Sequence, residues 1–263
     1  METELFSRFA PVIRSMSIAE LDREIEAPSS LRLETARVGS KIVEVAYAPF
    51  DFINLQARIV IVGLTPGRQQ MRNALHEARR LLLSGSSTAA ALEGAKVFAS
   101  FSGAMRTNLV DLLDFVGVPQ VLGLSTSASL WNGDARIVHF MSALRYPVFV
   151  DGKNYSGSPD MLKTPMLAGQ LRRWFGAEMA ALPNALFVPL GPNVGVALEA
   201  IAREAGVGLD RVLSGLPHPS GANAEGIAYF LGRKPRNALS VKRNPDKLDA
   251  MREKLVRQLG SLR

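Results

Sequence analysis

Residues 57 to 67 read ARIVIVGLTPG: a short apolar run rich in β-branched residues that stops at glycine and turns through Thr65-Pro66. A run of this length, bounded by Gly and Pro, reads as a fully buried strand. Three further runs share the pattern: ARIVHFMSAL (135 to 144), NALFVPLG (184 to 191) and DRVLSGL (210 to 216). Between them lie the helical patterns MRNALHEARRLLLSG, MRTNLVDLLDFVGV, PMLAGQLRRWFGAEMAAL and NVGVALEAIAREAG, several closed by glycine. Strands alternating with helices predict crossover connections and helices on both faces of one sheet. The expected fold is therefore α/β, a three-layer α/β/α arrangement around a central, largely parallel four-stranded sheet.

The 263 residues, 47% hydrophobic and 21% charged, suffice for one large domain. A single domain over residues 1–263 is expected. Within it, residues 1–56 read as a helical lead-in followed by irregular chain, and residues 84–94 and 118–134 as surface loops or insertions. Cysteine is absent, which excludes disulfides, iron–sulfur ligation and thiol catalysis. Neither a metal nor an organic cofactor is expected. The N-terminal stretch carries acids early and has no apolar core of signal-peptide type, and no run reaches the roughly 18 apolar residues of a membrane span. The expectation is a cytoplasmic monomer without membrane contact.

The net charge of +7 is unevenly placed: residues 232–263 hold ten basic and three acidic residues, so this segment alone carries +7. A basic cluster of this kind suits a polyanion, or equally a solvated terminal helix.

In open α/β sheets ligands bind beyond the carboxyl ends of the strands. The unusual residues of this chain cluster there: GLTPG, SALRYP, GPNVG and PHPSGAN follow the four runs in turn. Gly63 and Gly67 let backbone approach a ligand closely and Pro66 stiffens the turn, although any tight strand-to-helix turn favours these residues. His218, held between Pro217 and Pro219, could donate a hydrogen bond to a developing anion or position a phosphate together with Ser220 and the Gly221 amide; the alternative is a structural histidine.

Together these pieces resemble the uracil-DNA glycosylase superfamily, in which a Gly-x-x-Pro-Gly motif follows the first strand and His-Pro-Ser follows the last. GLTPG and HPSGAN are those motifs as they stand here. FSG at 101–103 is similar to the family's Phe-x-Gly segment, and NALFVPLGPNVGVAL to its Leu-Gly strand-to-helix turn. The resemblance spans roughly residues 57–230. It implies base excision repair: a monofunctional hydrolase that extrudes uracil, and other deaminated bases, from DNA and cuts the N-glycosidic bond. It also implies association with the nucleoid through DNA. By the same resemblance His218 donates to the base oxygen, Thr65 orients water, and Phe101 stacks on the base. Gly63, Leu64, Pro66 and Gly67 wall the pocket, Ser142 and Asn154 supply edge contacts, and Arg68, Ser220, Gly221, Ala222 and Asn223 touch the DNA backbone.

The chain departs from the pattern in three places. Thr65 stands where several branches place an acid or amide, and a threonine hydroxyl is too weak an acid to serve as general base. The base-reading asparagine has no counterpart in IVHFMSALRYPVF, where His139 is a contact or an ordinary core histidine. Ala222 is a poor wedge for propping open a duplex, leaving Asn223, Tyr229 or a side chain from an inserted loop. No lysine sits in either motif, so a Schiff-base lyase step is not expected. Two other readings stay open: a DNA-binding relative with weak or no turnover, and an α/β enzyme acting on a free nucleoside or nucleotide.

Overall fold

The computed structural model describes residues 4–99 and 104–262. In chain order its helices are α1 (Glu4–Ser15), α2 (Ile18–Glu26), α3 (Arg68–Leu83), α4 (Thr88–Ala99), α5 (Ala104–Val116), α6 (Val118–Leu122), α7 (Pro165–Gln170), α8 (Ala177–Ala181), α9 (Pro192–Glu204), α10 (Ala224–Phe230) and α11 (Pro245–Gly260). Its strands are β1 (Arg32–Val38), β2 (Lys41–Ala46), β3 (Ile59–Gly63), β4 (Val138–Ser142), β5 (Val148–Val150), β6 (Lys153–Asn154) and β7 (Leu186–Pro189). No helix among the described residues is long and apolar enough to cross a membrane. The chain divides into two compact units, one of Met1–Ile53, Leu64–Ser100 and Phe140–Met179, the other of Asn54–Gly63, Phe101–His139 and Ala180–Arg263.

The first unit holds an antiparallel sheet in the order β1-β2-β5-β6. Its hairpin lies inside the segment read as helix and irregular chain, a correction with a plain physical cause. In β1 the half-buried residues are Leu33, Ala36 and Val38, but Glu34 and Thr35 are both exposed at a register shift, so RLETARV lacks the unbroken two-residue period that marks a strand. Helix α2 starts at a capping box: Ser17 Oγ accepts from Glu20 N at 3.2 Å, and Ser17 N donates to Glu20 Oε2 at 2.8 Å. The expected loop at 84–94 is in part helix, because Ser87 Oγ accepts from Ala90 N (3.2 Å) and the alanines that follow favour α4.

The second unit is built on a parallel sheet in the order β4-β3-β7. Ile59 pairs with Leu186 and Val62 with Pro189, and Ile59, Val60, Ile61 and Val62 are fully buried, as a strand covered on both faces requires. The fourth run, 210–216, is not a full strand. It begins in a 3-10 turn, Leu209–Arg211, and touches β7 through one parallel bridge, Phe187 to Val212. Gly215 then takes a φ of +132°, which ends the extended path. A Cβ at Gly215 would stand 3.3 Å from Met251 Cβ on α11, so the glycine also allows close approach to that helix. Gly215→Ala is expected to cost on the order of 1–3 kcal/mol, the usual range for a non-glycine residue at such a φ. An unchanged urea midpoint would contradict this.

Candidate functional site

In the second unit the chain leaves β7, and Gly191 turns at a φ of +98° into α9, whose first residue, Pro192, has no N–H to leave unpaired. That φ calls for glycine. The His218 ring lies against the turn, its Cδ2 standing 3.4 Å from where a Cβ on Gly191 would be.

His218 Nδ1 accepts the Ser220 N–H at 3.2 Å. A ring nitrogen that accepts carries no proton, so the neutral imidazole holds its hydrogen on Nε2, as a donor. Burial pushes the pKa of this ring below its ordinary value, in the same direction as the hydrogen bond. Two amides clamp the loop: Asn223 Nδ2 donates to His218 O at 3.0 Å, and Asn108 Nδ2, from α5, donates to Pro219 O at 2.9 Å. Gly221, Ala222 and Asn223 form a single 3-10 turn beside them, with Gly221 and Ala222 exposed.

An open cleft of about 710 Å³ runs from Gly191 and His218 past Ser214 and Gly215 to one face of α11, carrying Lys247, Met251 and Lys254. Lys242 and Arg243 also line it, with Glu199 as its acidic residue among those described. The Ser214 hydroxyl is buried here with no hydrogen-bond partner among the described residues. This lysine-rich wall comes from the segment whose charge stood out in the sequence. His139 lies apart from it as a core residue, 2% exposed, near Asn54 N.

Gly63 ends β3 in the second unit, whereas the first unit holds residues 64–68, Ser142 and Asn154 of the expected site. Thr65 Oγ1 donates to Tyr146 O at 3.0 Å and accepts from Val148 N at 3.2 Å. Its one proton is therefore committed, and the hydroxyl can only accept from a water. Thr65→Val is expected to cost about 1–3 kcal/mol by leaving Val148 N unpaired; a denaturation midpoint equal to the wild type would count against this account. Leu64 O accepts from Leu144 N at 3.0 Å, and Pro66 is buried. Gly67 lies against the side chain of Asn154, whose Oδ1 accepts from Arg68 N at 3.0 Å, capping the start of α3. Gly67 and Asn154 are thus brought together, with the Asn154 oxygen used locally. Ser142 ends β4, half-buried. Phe101 lies outside the described residues.

Arg68 needs a correction as a DNA contact. Its guanidinium donates to the carbonyls of Ile25, Glu26 (2.7 Å) and Gly152 (2.6 Å), and lies 4.4 Å from the centre of the Phe149 ring. Those donors tie α2 and the β5–β6 turn to α3, and little of the fork is left for phosphate.

Sequence reasoning missed a buried polar cluster in this unit. Glu178, fully buried, lies 3.3 Å from both Lys96 Nζ and Arg145 Nη2, themselves 5% exposed. Lys96 Nζ also donates to Phe52 O at 2.5 Å, and burial lowers its pKa. Nearby, Asp51 accepts from the hydroxyls of Tyr47 (3.0 Å) and Tyr146 (2.6 Å), and burial raises both phenol pKa values. The partners sit far apart in sequence, with no spacing that would announce them. No group of three or more metal-ligating side chains occurs among the described residues.

Comparison with known proteins gives one informative match. The chain is 37% identical over 191 residues to a protein of Bacillus subtilis (strain 168) described as uncharacterized protein YoxB, the match covering 72% of this chain and 75% of YoxB. No family model matches the chain. No solved structure matches it. With that identity over that length, the chain belongs to the same family as YoxB.

Proposed function

We propose that this protein is a monofunctional DNA glycosylase of the uracil-DNA glycosylase type, acting on uracil and other deaminated bases. The observation that carries the reading is the state of His218: a half-buried, neutral imidazole whose Nε2–H is left to donate, fixed by Ser220 N at the mouth of a lysine-lined cleft. Supporting it are the positions of the motifs, GLTPG leaving β3 and HPSGAN following the segment that bridges β7. In this reading the three strands β4-β3-β7, with the segment at Val212 bridged to β7, are the central layer of a three-layer glycosylase-like fold.

The chemistry asks for a donor where charge develops. As the bond from C1′ to the base nitrogen breaks, its electron pair moves onto the base, and water adds to C1′ with loss of a proton. An aimed Nε2–H on the base oxygen stabilises that anion without proton transfer. Within the first unit Thr65 keeps its own turn closed and can accept from a water. The lysine face holds the phosphates of DNA, and no step needs a covalent amine.

Single-turnover excision on labelled duplexes bearing uracil, hypoxanthine or xanthine, followed by alkaline cleavage of abasic sites, tests the reading. Strand scission after alkali is expected for uracil. Intact strands with binding retained would overturn it in favour of a DNA-binding relative without turnover, a reading that the committed Thr65 hydroxyl favours. A borohydride-trapped protein–DNA adduct would contradict the monofunctional mechanism.

A further inference from the structure

Of the ten asparagines in the chain one, Asn132, is followed by glycine. The pair lies in the second unit, directly after the 3-10 turn Ser127–Trp131, and both residues are exposed. Asn132 takes φ −146° and ψ −100°, and this ψ swings the Gly133 nitrogen to the side on which the Asn132 Cβ stands. The side chain meets it there: Gly133 N donates to Asn132 Oδ1 at 2.6 Å, so the carboxamide folds back on the nitrogen that follows it in the chain. Its carbon, Cγ, is one bond from that oxygen. A nucleophile and an electrophile held side by side need no encounter, and intramolecular attack draws its rate from that.

Folding fixes this geometry. Asn132 N and Asp134 N both donate to Ser129 O, at 3.0 and 2.9 Å, and Ala135 N donates to Asn132 O at 3.2 Å. Gly133 has no side chain to shield its nitrogen, yet the turn does not demand glycine: its φ lies outside the positive range, and a Cβ there would meet nothing within 4 Å. The chain's Asp-Gly pair, Asp151-Gly152, is tied differently, because Asp151 Oδ1 accepts from Ile42 N of β2 at 2.9 Å.

We propose that Asn132 is a self-modifying site, at which the folded chain converts its own asparagine to aspartate and isoaspartate. The Gly133 nitrogen forms a bond to Asn132 Cγ, the bond from Cγ to Nδ2 breaks, and Nδ2 leaves as ammonia with the proton that solvent carries over from Gly133 N. A five-membered imide remains. Water then adds at either carbonyl carbon: breaking the Cγ–N bond gives aspartate in the ordinary chain, and breaking the backbone C–N bond gives isoaspartate, with the main chain rerouted through Cγ. Either product gains one carboxylate, which takes the formal net charge from +7 to +6. The isoaspartyl form also lengthens the main chain by one carbon beside Trp131, over whose ring Arg106 of α5 lies at 5.6 Å.

The test incubates the full chain in mildly alkaline buffer beside a synthetic peptide of residues 127–137, and follows both by peptide mapping and by enzymatic methyl labelling of isoaspartyl carboxylates. Asn132 is expected to gain about one dalton ahead of every other asparagine, at a rate no slower than that of the free peptide and rising with hydroxide, with both products formed. Gly133→Ala should slow the conversion about tenfold or more by crowding the nitrogen, and Asn132→Gln, which must close a six-membered ring, should slow it as well. An Asn132 that stays intact while the peptide converts would show that the fold protects the pair and would overturn the proposal. So would earlier conversion at another asparagine, or an undiminished rate in Gly133→Ala. Aspartate as the sole product would overturn it too, since direct hydrolysis of the carboxamide forms no isoaspartate.

Discussion

Glu178→Ala is expected to destabilise the protein by about 3–5 kcal/mol, the usual cost of removing one partner from a buried ion pair. The wild-type carboxylate answers two cations at once, Lys96 and Arg145, each 3.3 Å away. Truncation removes the nearest carboxylate from both, leaving the ammonium on Phe52 O at 2.5 Å and the guanidinium on Trp174 O at 3.2 Å, with Asp51 as an acid that still attracts each. Lysine can relieve its share by losing a proton, and burial already lowers its pKa; arginine has no such escape. The unfolding temperature should therefore fall by roughly 10 °C, at about 2–4 °C per kcal/mol for a chain of this class. Replacing Glu178 by leucine together with Lys96 by methionine should recover part of that loss, because an apolar pair of similar volume avoids the desolvation of two charges. A Glu178→Ala protein that melts within 2 °C of the wild type would show that water reaches the cluster and that its charges are not tightly coupled.

That cluster also marks what the sequence could not show. β3 and β7 were legible because strands buried on both faces must be continuously apolar, and IVIVG and LFVP are. The HPSGAN loop was legible because two prolines around a histidine are costly to keep by chance and restrict the backbone on both sides. By contrast, the alternation of β1 breaks at Glu34–Thr35, which throws Leu33 out of step with Ala36 and Val38, so pairing with β2 sets its strand character. The fourth run failed as a strand through Gly215, whose positive φ is a property of the packed loop against Met251. Arg68 looked like a phosphate contact from its place beside the first motif; three carbonyls from distant segments claim it instead. Composition and period record what faces a core, while the pairing of polar groups is decided by which segments meet.

His218→Ala should slow single-turnover excision of uracil by about two orders of magnitude or more, the loss of roughly 3 kcal/mol that follows removal of one preorganised donor from a developing oxyanion. Affinity for undamaged duplex should change little, since the lysine face and not the ring meets phosphate in this reading. The pH profile gives a second, sharper expectation. Burial lowers the folded-state pKa of His218 below its ordinary 6.5, so between those two values the unfolded chain binds a proton that the folded chain does not. The stability contributed by the neutral ring is thus complete above pH 6.5 and is lost as pH falls through the folded-state pKa. Protonation would also place a hydrogen on Nδ1, facing the Ser220 N–H donor at 3.2 Å, and so release the loop from the geometry that aims Nε2. Wild-type excision should hold its rate down through pH 6.5 and decline below it, while His218→Ala, already slow, should show no step in that range. A variant within threefold of the wild type at pH 7.5, or a wild-type rate that rises on acidification, would remove His218 from the chemistry and show that an imidazolium or another group serves as the electrophile.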